Sequence, residues 1–180
     1  MVSMTDIAAD VLLDYPAESA NMSKPERLEE LRKRVGLLLE GETDWLANLG
    51  NAAAEIYAWL PNLNWAGWYL LRGDELVLGP FQGRPACVRI AVGRGVCGTA
   101  VSTGQSQVVE DVNAFPGHIA CDVRSKSELV VPVKVGGQVV AVLDLDSSVA
   151  ANFDEGDRVG LEALVADLVP LIDWERATAS

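Results

Sequence analysis

Three cysteines, the lone histidine and a few of the acids are the residues of this 180-residue chain whose types and spacing could carry chemistry. Cys87, Cys97 and Cys121 are separated by nine and then 23 intervening residues, and His118 lies three before the last of them. Three readings are open. Each Cys can be a small buried hydrophobe, the ordinary fate of an isolated free thiol. The three with His118 can form a Cys₃His zinc set, although structural zinc sites place ligands in close pairs and His118-x-x-Cys121 is the sole close pair here. Or one thiol can be a nucleophile whose oxidised form a second resolves. For that third reading Cys121 is the better nucleophile on local grounds. It lies in a Gly/Pro-containing loop with His118 and Arg124 nearby, cationic groups that lower a thiol pKa if they approach it. Cys87 heads a predicted strand and would be rigidly held, which suffices for a resolving thiol that a mobile loop can reach.

The acids strengthen the case for a site. In the run Val139 to Asp146, alternation puts Val140, Val142, Asp144 and Asp146 on one face of a strand. Two carboxylates crowded on a partly apolar face do not both ionise easily, so one should stay protonated near neutral pH. The plainer reading is that Asp146 caps a turn at Ser147-Ser148. Glu128 poses a register problem. A two-residue Gly136-Gly137 hairpin pairs Val135 with Gln138, hence Leu129 with Asp144 and Ser127 with Asp146, and points Glu128 away from the aspartates. For Glu128 to join them a one-residue shift is needed, with Pro132 a natural place for a bulge, unless Glu128 precedes the regular ladder.

The elements that must position these residues follow from pattern. Ser23-x-x-Glu26 with Pro25 reads as a capping box opening a helix with Leu28, Leu31, Val35, Leu38 and Leu39 on its stripe, ended by Gly41. Thr43-Asp44 starts a second helix through Trp45, Leu49, Ala52, Ala53, Ile56 and Leu60, closed by Pro61. Strands are predicted over 65–71 and 75–82 around a tight turn at Arg72-Gly73-Asp74, then over 87–92, 107–110, 128–135 and 138–145. A glycine-rich turn, 93–98, leads into a short helical stretch near 99–102, and a long loop covers 111–126, a length usually functional or mobile. Asp154 caps a final helix through Leu161, Leu164, Val165, Leu168 and Ile172, which Pro170 should bend or divide. The order ααββββ(loop)ββα is that of an α+β fold, a mostly antiparallel sheet with helices packed on it. Gly93-Arg94-Gly95-Val96-Cys97-Gly98 matches the dinucleotide pattern G-x-G-x-x-G, but only about eight residues separate it from the next strand, too few for a crossover helix.

Composition limits the rest. A chain of this length with 49% apolar and 22% charged residues is globular, and the expected organisation is an extension, 1–22, one domain, 23–175, and a tail, 176–180. With 14 basic against 26 acidic residues the net charge is −12, which disfavours nucleic acid and anionic membranes as partners. The N-terminus lacks the basic start of a signal peptide and no apolar run is long enough to span a membrane, so a cytoplasmic location is expected, with the cysteines as thiols.

Taken together, GET near Gly41, NWAGWYLL at 64–71, LVLGPFQG at 76–83, ACVRI at 86–90, GRGVCGTAV at 93–101, GHIACD at 117–122 and LDLDS at 143–147 resemble the free methionine-(R)-sulfoxide reductases, which are built on a GAF domain. The likeness covers roughly 36–170, and the three Cys motifs with LDLDS are far more specific than the GAF fold alone. The resemblance implies a GAF-like six-stranded sheet and an enzyme that reduces the R epimer of free methionine sulfoxide without a cofactor or metal. It implies Cys121 as nucleophile, Cys87 as its main disulfide partner and Cys97 as a third, secondary or alternative thiol. Trp65 and Tyr69 would line the pocket and Glu128, Asp144 and Asp146 would face the substrate, which favours the bulged register. Thioredoxin as reductant and a homodimer are implied in the same way. The alternative function is a GAF-type sensor that binds a small ligand without turnover.

Overall fold

The computed structural model describes residues 19, 21–119 and 121–179. Most of the expected extension, 1–18 and 20, lies outside the described residues. Helix α1, Lys24–Leu39, opens with the capping box: Glu26 accepts from the Ser23 amide at 2.9 Å and hydroxyl at 2.6 Å. Helix α2, Trp45–Trp59, is capped by Asp44, whose carboxylate accepts from the amides of Leu46 and Ala47. The two helices are joined by a buried ion pair, Arg34 Nε to Glu55 Oε1 at 2.5 Å, with the guanidinium 4.4 Å from the Trp59 ring centre.

Six strands follow: β1 Leu63–Arg72, β2 Glu75–Gly83, β3 Arg89–Ala91, β4 Gln107–Val109, β5 Ser127–Val135 and β6 Gln138–Ser147. They form one sheet in the order β3-β2-β1-β6-β5-β4, antiparallel at every neighbouring pair. Between β3 and β4 lies helix α3, Gly95–Thr103, ended by left-handed Gly104. Helix α4, Glu155–Leu168, is capped by Asp154. Pro170 falls in a 3₁₀ turn, Val169–Leu171, and a separate helix α5 runs Trp174–Thr178, so the division expected at this proline is present. Trp174 and Ala177 are buried, and packed residues continue past the expected boundary at 175.

Alternation divides the sheet into two faces. Ala66, Trp68, Leu70, Leu129, Val131, Leu143 and Leu145 point to one side, where α1, α2, α4 and α5 cover them. Each fully buried large aliphatic there contributes roughly 1.5–3 kcal/mol. Trp65, Tyr69, Val130 and Val142 point to the other side, under α3 and the 111–126 loop. That second face carries the candidate site.

Three local expectations are corrected. The third strand is shorter than 87–92 and leaves Cys87 in the loop before it, because only Arg89–Ala91 pairs with β2. Cys97 lies inside the first turn of α3, not in an open glycine turn. The bulge that rescues Glu128 is on β6 instead of at Pro132: Lys134 pairs with Val139 and Val133 with Ala141, leaving Val140 as the extra residue.

Candidate active site

That one-residue shift sets the chemistry of the second face. Glu128 stands opposite Asp146 and Val130 opposite Asp144, so all three carboxylates share a side. On the neighbouring strand Trp65 pairs with Asp146, Gly67 with Asp144 and Tyr69 with Val142. Gly67 is required by packing, since a Cβ there would lie 2.4 Å from Phe81 Cβ. Trp65 stacks between Phe81, at 5.3 Å, and Tyr69, at 5.8 Å, and donates its indole N–H to the Arg84 carbonyl. The Tyr69 hydroxyl donates to the Cys87 carbonyl at 2.9 Å, so the aromatic wall also fixes the segment carrying that cysteine.

Cys97 rises into the same space from α3, its Sγ 3.9 Å from Glu128 Oε1. Burial is the main electrostatic fact of the cluster. It pushes Asp144 up to about 6. Burial, and then the neighbouring Asp144 and Asp146 carboxylates, holds Glu128 well above the usual carboxylate range, and burial with Asp144 does the same for Asp146. The Cys97 thiol is raised by burial and then by Asp144 and Glu128. Asp144 Oδ1 is buried with no hydrogen-bond partner. Acids so placed take up protons more readily than ordinary carboxylates, and a protonated member of the group can donate one.

Cys87 and Cys121 form a disulfide, with their Cα atoms 5.5 Å apart. The bond borders a cavity of about 30 Å³ whose lining also includes Trp65, Tyr69, Cys97, Glu128, Asp144 and Asp146. All eight candidate residues named from the sequence therefore meet at one place. The Cys₃His alternative does not match this arrangement, because two of its thiols are joined to each other; among the described residues, Cys97, Glu128 and Asp144 form a group whose ligand atoms lie within 4.8 Å of one another. His118 lines the cavity with its pKa lowered by burial, which favours the neutral ring. Arg124 does not serve Cys121 as expected: its guanidinium is held by Asp122, with Nη2 2.6 Å from Oδ2.

Sequence reasoning missed Asn64, Ser125 and Phe81. Phe81 stands opposite Gly67, on the Trp65 face, only because the β1–β2 register shifts between Gly67 and Tyr69, a shift the turn at Gly73-Asp74 does not announce. Asn64 and Ser125 carry no pattern in the sequence; their burial, 7% exposed each, comes only with the tertiary structure.

No helix among the described residues is long and apolar enough to cross a membrane. The family model for the GAF domain matches residues 44–173. The free methionine-R-sulfoxide reductase of Escherichia coli (strain K12) is 51% identical over 88% of this chain and 98% of its own length. That of Saccharomyces cerevisiae is 43% identical over 84% of this chain and 88% of its own. Among solved structures, the free methionine-R-sulfoxide reductase of Neisseria meningitidis in complex with its substrate superposes with a TM-score of 0.81 at 43% identity, covering 88% of this chain and 95% of that one.

Proposed function

The chain belongs to the GAF domain family and, within it, to the free methionine-R-sulfoxide reductases, and from that premise we propose how its own residues perform the reduction. The substrate is free methionine-(R)-sulfoxide. Its sulfur is electrophilic once the oxygen is protonated or strongly hydrogen-bonded, so a buried neutral acid, Glu128 or Asp144, supplies that proton. The Cys121 thiolate attacks the activated sulfur. Oxygen passes to the cysteine, methionine leaves as the thioether, and Cys121 is left as a sulfenic acid. The Cys87 thiolate displaces water from it and forms the Cys87–Cys121 disulfide. One sulfoxide and two thiols thus become one thioether, one disulfide and one water. An external dithiol, thioredoxin in this reading, restores both thiols.

The remaining residues bind. An ionised acid holds the substrate ammonium, and Trp65 and Tyr69 enclose the thiomethyl end and exclude water. An enclosed pocket of this kind admits a free amino acid and rejects the same group within a chain. Cys97, buried and protonated beside two carboxylates, is suited to hydrogen bonding with Glu128 and to secondary exchange more than to the first attack. A homodimer in the cytoplasm completes the proposal, to be checked by sedimentation and fractionation.

The single observation that carries this reading is the Cys87–Cys121 disulfide closing a cavity that also presents three buried acids. It favours an enzyme over the alternative of a ligand sensor, which has no use for a thiol pair at that point. The test is thioredoxin-dependent NADPH consumption with free methionine-(R)-sulfoxide, abolished by Cys121→Ser, together with mass mapping of disulfides after one equivalent of substrate. Ligand-induced thermal stabilisation without turnover would support the sensor instead. A Cys97–Cys121 bridge would reorder the thiols.

A further inference from the structure

Cys97, Glu128 and Asp144 come from three different elements, α3, β5 and β6, and all three are buried. One ligand atom from each, a sulfur and two carboxylate oxygens, lies within 4.8 Å of the other two. Three points so spaced share a centre within about 2.8 Å of each, so side-chain movements of less than about 1 Å reach the lengths that zinc takes from oxygen and sulfur, about 2.0–2.3 Å.

The group is poorly satisfied by the protein itself. The contact between Cys97 Sγ and Glu128 Oε1 is long, 3.9 Å. Asp144, 6% exposed, has its Oδ1 buried with no hydrogen-bond partner. Among the described residues no basic side chain forms an ion pair with Glu128, Asp144 or Asp146. A buried oxygen without a donor is costly until something positive meets it.

The donor set selects the ion. Magnesium and calcium take oxygen ligands and copper(I) favours sulfur, whereas Zn²⁺ accepts thiolate and carboxylate together in a four-coordinate site. Three protein ligands leave one position open, and all three residues border the cavity from which a water fills it. We propose that Cys97, Glu128 and Asp144 form a zinc-binding site and that Zn²⁺ held there excludes the sulfoxide. Each ligand binds without its proton, which passes to solvent, so zinc competes for the oxygens that would otherwise protonate the S=O group. The exclusion of substrate rests on the reductase reading; the binding of zinc does not.

In the disulfide form Cys97 is the free thiol, so that form isolates the site. Calorimetry on it should find one equivalent of Zn²⁺, and Co²⁺ should give the near-ultraviolet band of a metal thiolate, bleached by zinc. Cys97→Ser should remove the band, and Glu128→Gln and Asp144→Asn should each weaken zinc by about tenfold or more. No thiolate band, or zinc held as tightly after Asp144→Asn, overturns the site. For the second half, protein reduced and freed of reductant is mixed with one equivalent of free methionine-(R)-sulfoxide, and disulfide formation is followed by mass with and without zinc. Saturating zinc should stop the wild type but not Cys97→Ser, each compared with its own zinc-free rate. Equal inhibition of both would place the metal on Cys87 and Cys121 and overturn the proposal. If Cys97→Ser does not fold, the cobalt band and the Asp144→Asn titration decide. A wild type that forms no disulfide with sulfoxide even without zinc would remove the reductase reading, while the cobalt band still decides the site.

Discussion

Asp144 is buried at 6% exposure and holds one oxygen with no partner, so its charge is costly wherever it is not compensated by ligand. Burial raises its pKa from 3.8 to about 6, which means the folded protein binds this proton more tightly than the unfolded chain does. The stability that proton provides is complete below the ordinary carboxylate range and is lost as pH rises through about 6. Asp144→Asn should therefore stabilise the substrate-free protein at pH 8 by on the order of 2 kcal/mol and by much less near pH 4, while depressing turnover. Urea denaturation at the two pH values checks this, and an equal effect at both would contradict it. At this scale the sequence was informative about identities: alternation alone put Asp144 and Asp146 on one face, and the motifs supplied the cysteines. It could not show that Arg124 is held by Asp122, or that Asn64 is buried, because both depend on how the loop folds back onto the sheet.

At the scale of elements, the site depends on departures from regular pairing: at Val140 in β6, at Asn64 in β1, and between Gly67 and Tyr69 in the β1–β2 ladder. The need for a one-residue shift could be read from the conflict between Gly136-Gly137 and Glu128, but not the strand that absorbs it. Pro132 stays in register opposite Val142, and the extra residue appears at Val140, near the turn. Helix α3 was likewise only half legible: Val96 and Cys97 are buried in its first turn, yet Gly95 and Gly98 look like loop residues in sequence. The glycine of β1 gives a sharper test. Gly67→Ala would force a Cβ to within 2.8 Å of the Phe81 Cα, a backbone atom that cannot step aside. The expected cost is about 2–3 kcal/mol with a larger KM, because the displaced strand carries Trp65 and Tyr69. Melting curves and steady-state kinetics measure the two effects, and an unchanged melting temperature would show that β2 yields freely.

For the whole molecule, the sheet separates stability from chemistry. The helix layer and its core lie on one face, the thiols and acids on the other. Glu55→Ala deprives Arg34 of its buried carboxylate and should cost about 3 kcal/mol of unfolding free energy. Turnover per folded molecule should be unchanged, because that pair sits between α1 and α2, on the far side from the cavity. A drop in kcat at temperatures where the variant remains folded would contradict the separation.

The sulfur of Cys121 borders the cavity already bonded to Cys87. A spent molecule consequently cannot attack another sulfoxide until electrons arrive. Sulfoxide and dithiol then address different forms of the protein in alternation, and double-reciprocal plots at several reductant concentrations should run parallel. Lines that intersect would mean that the bridged form still admits its next guest.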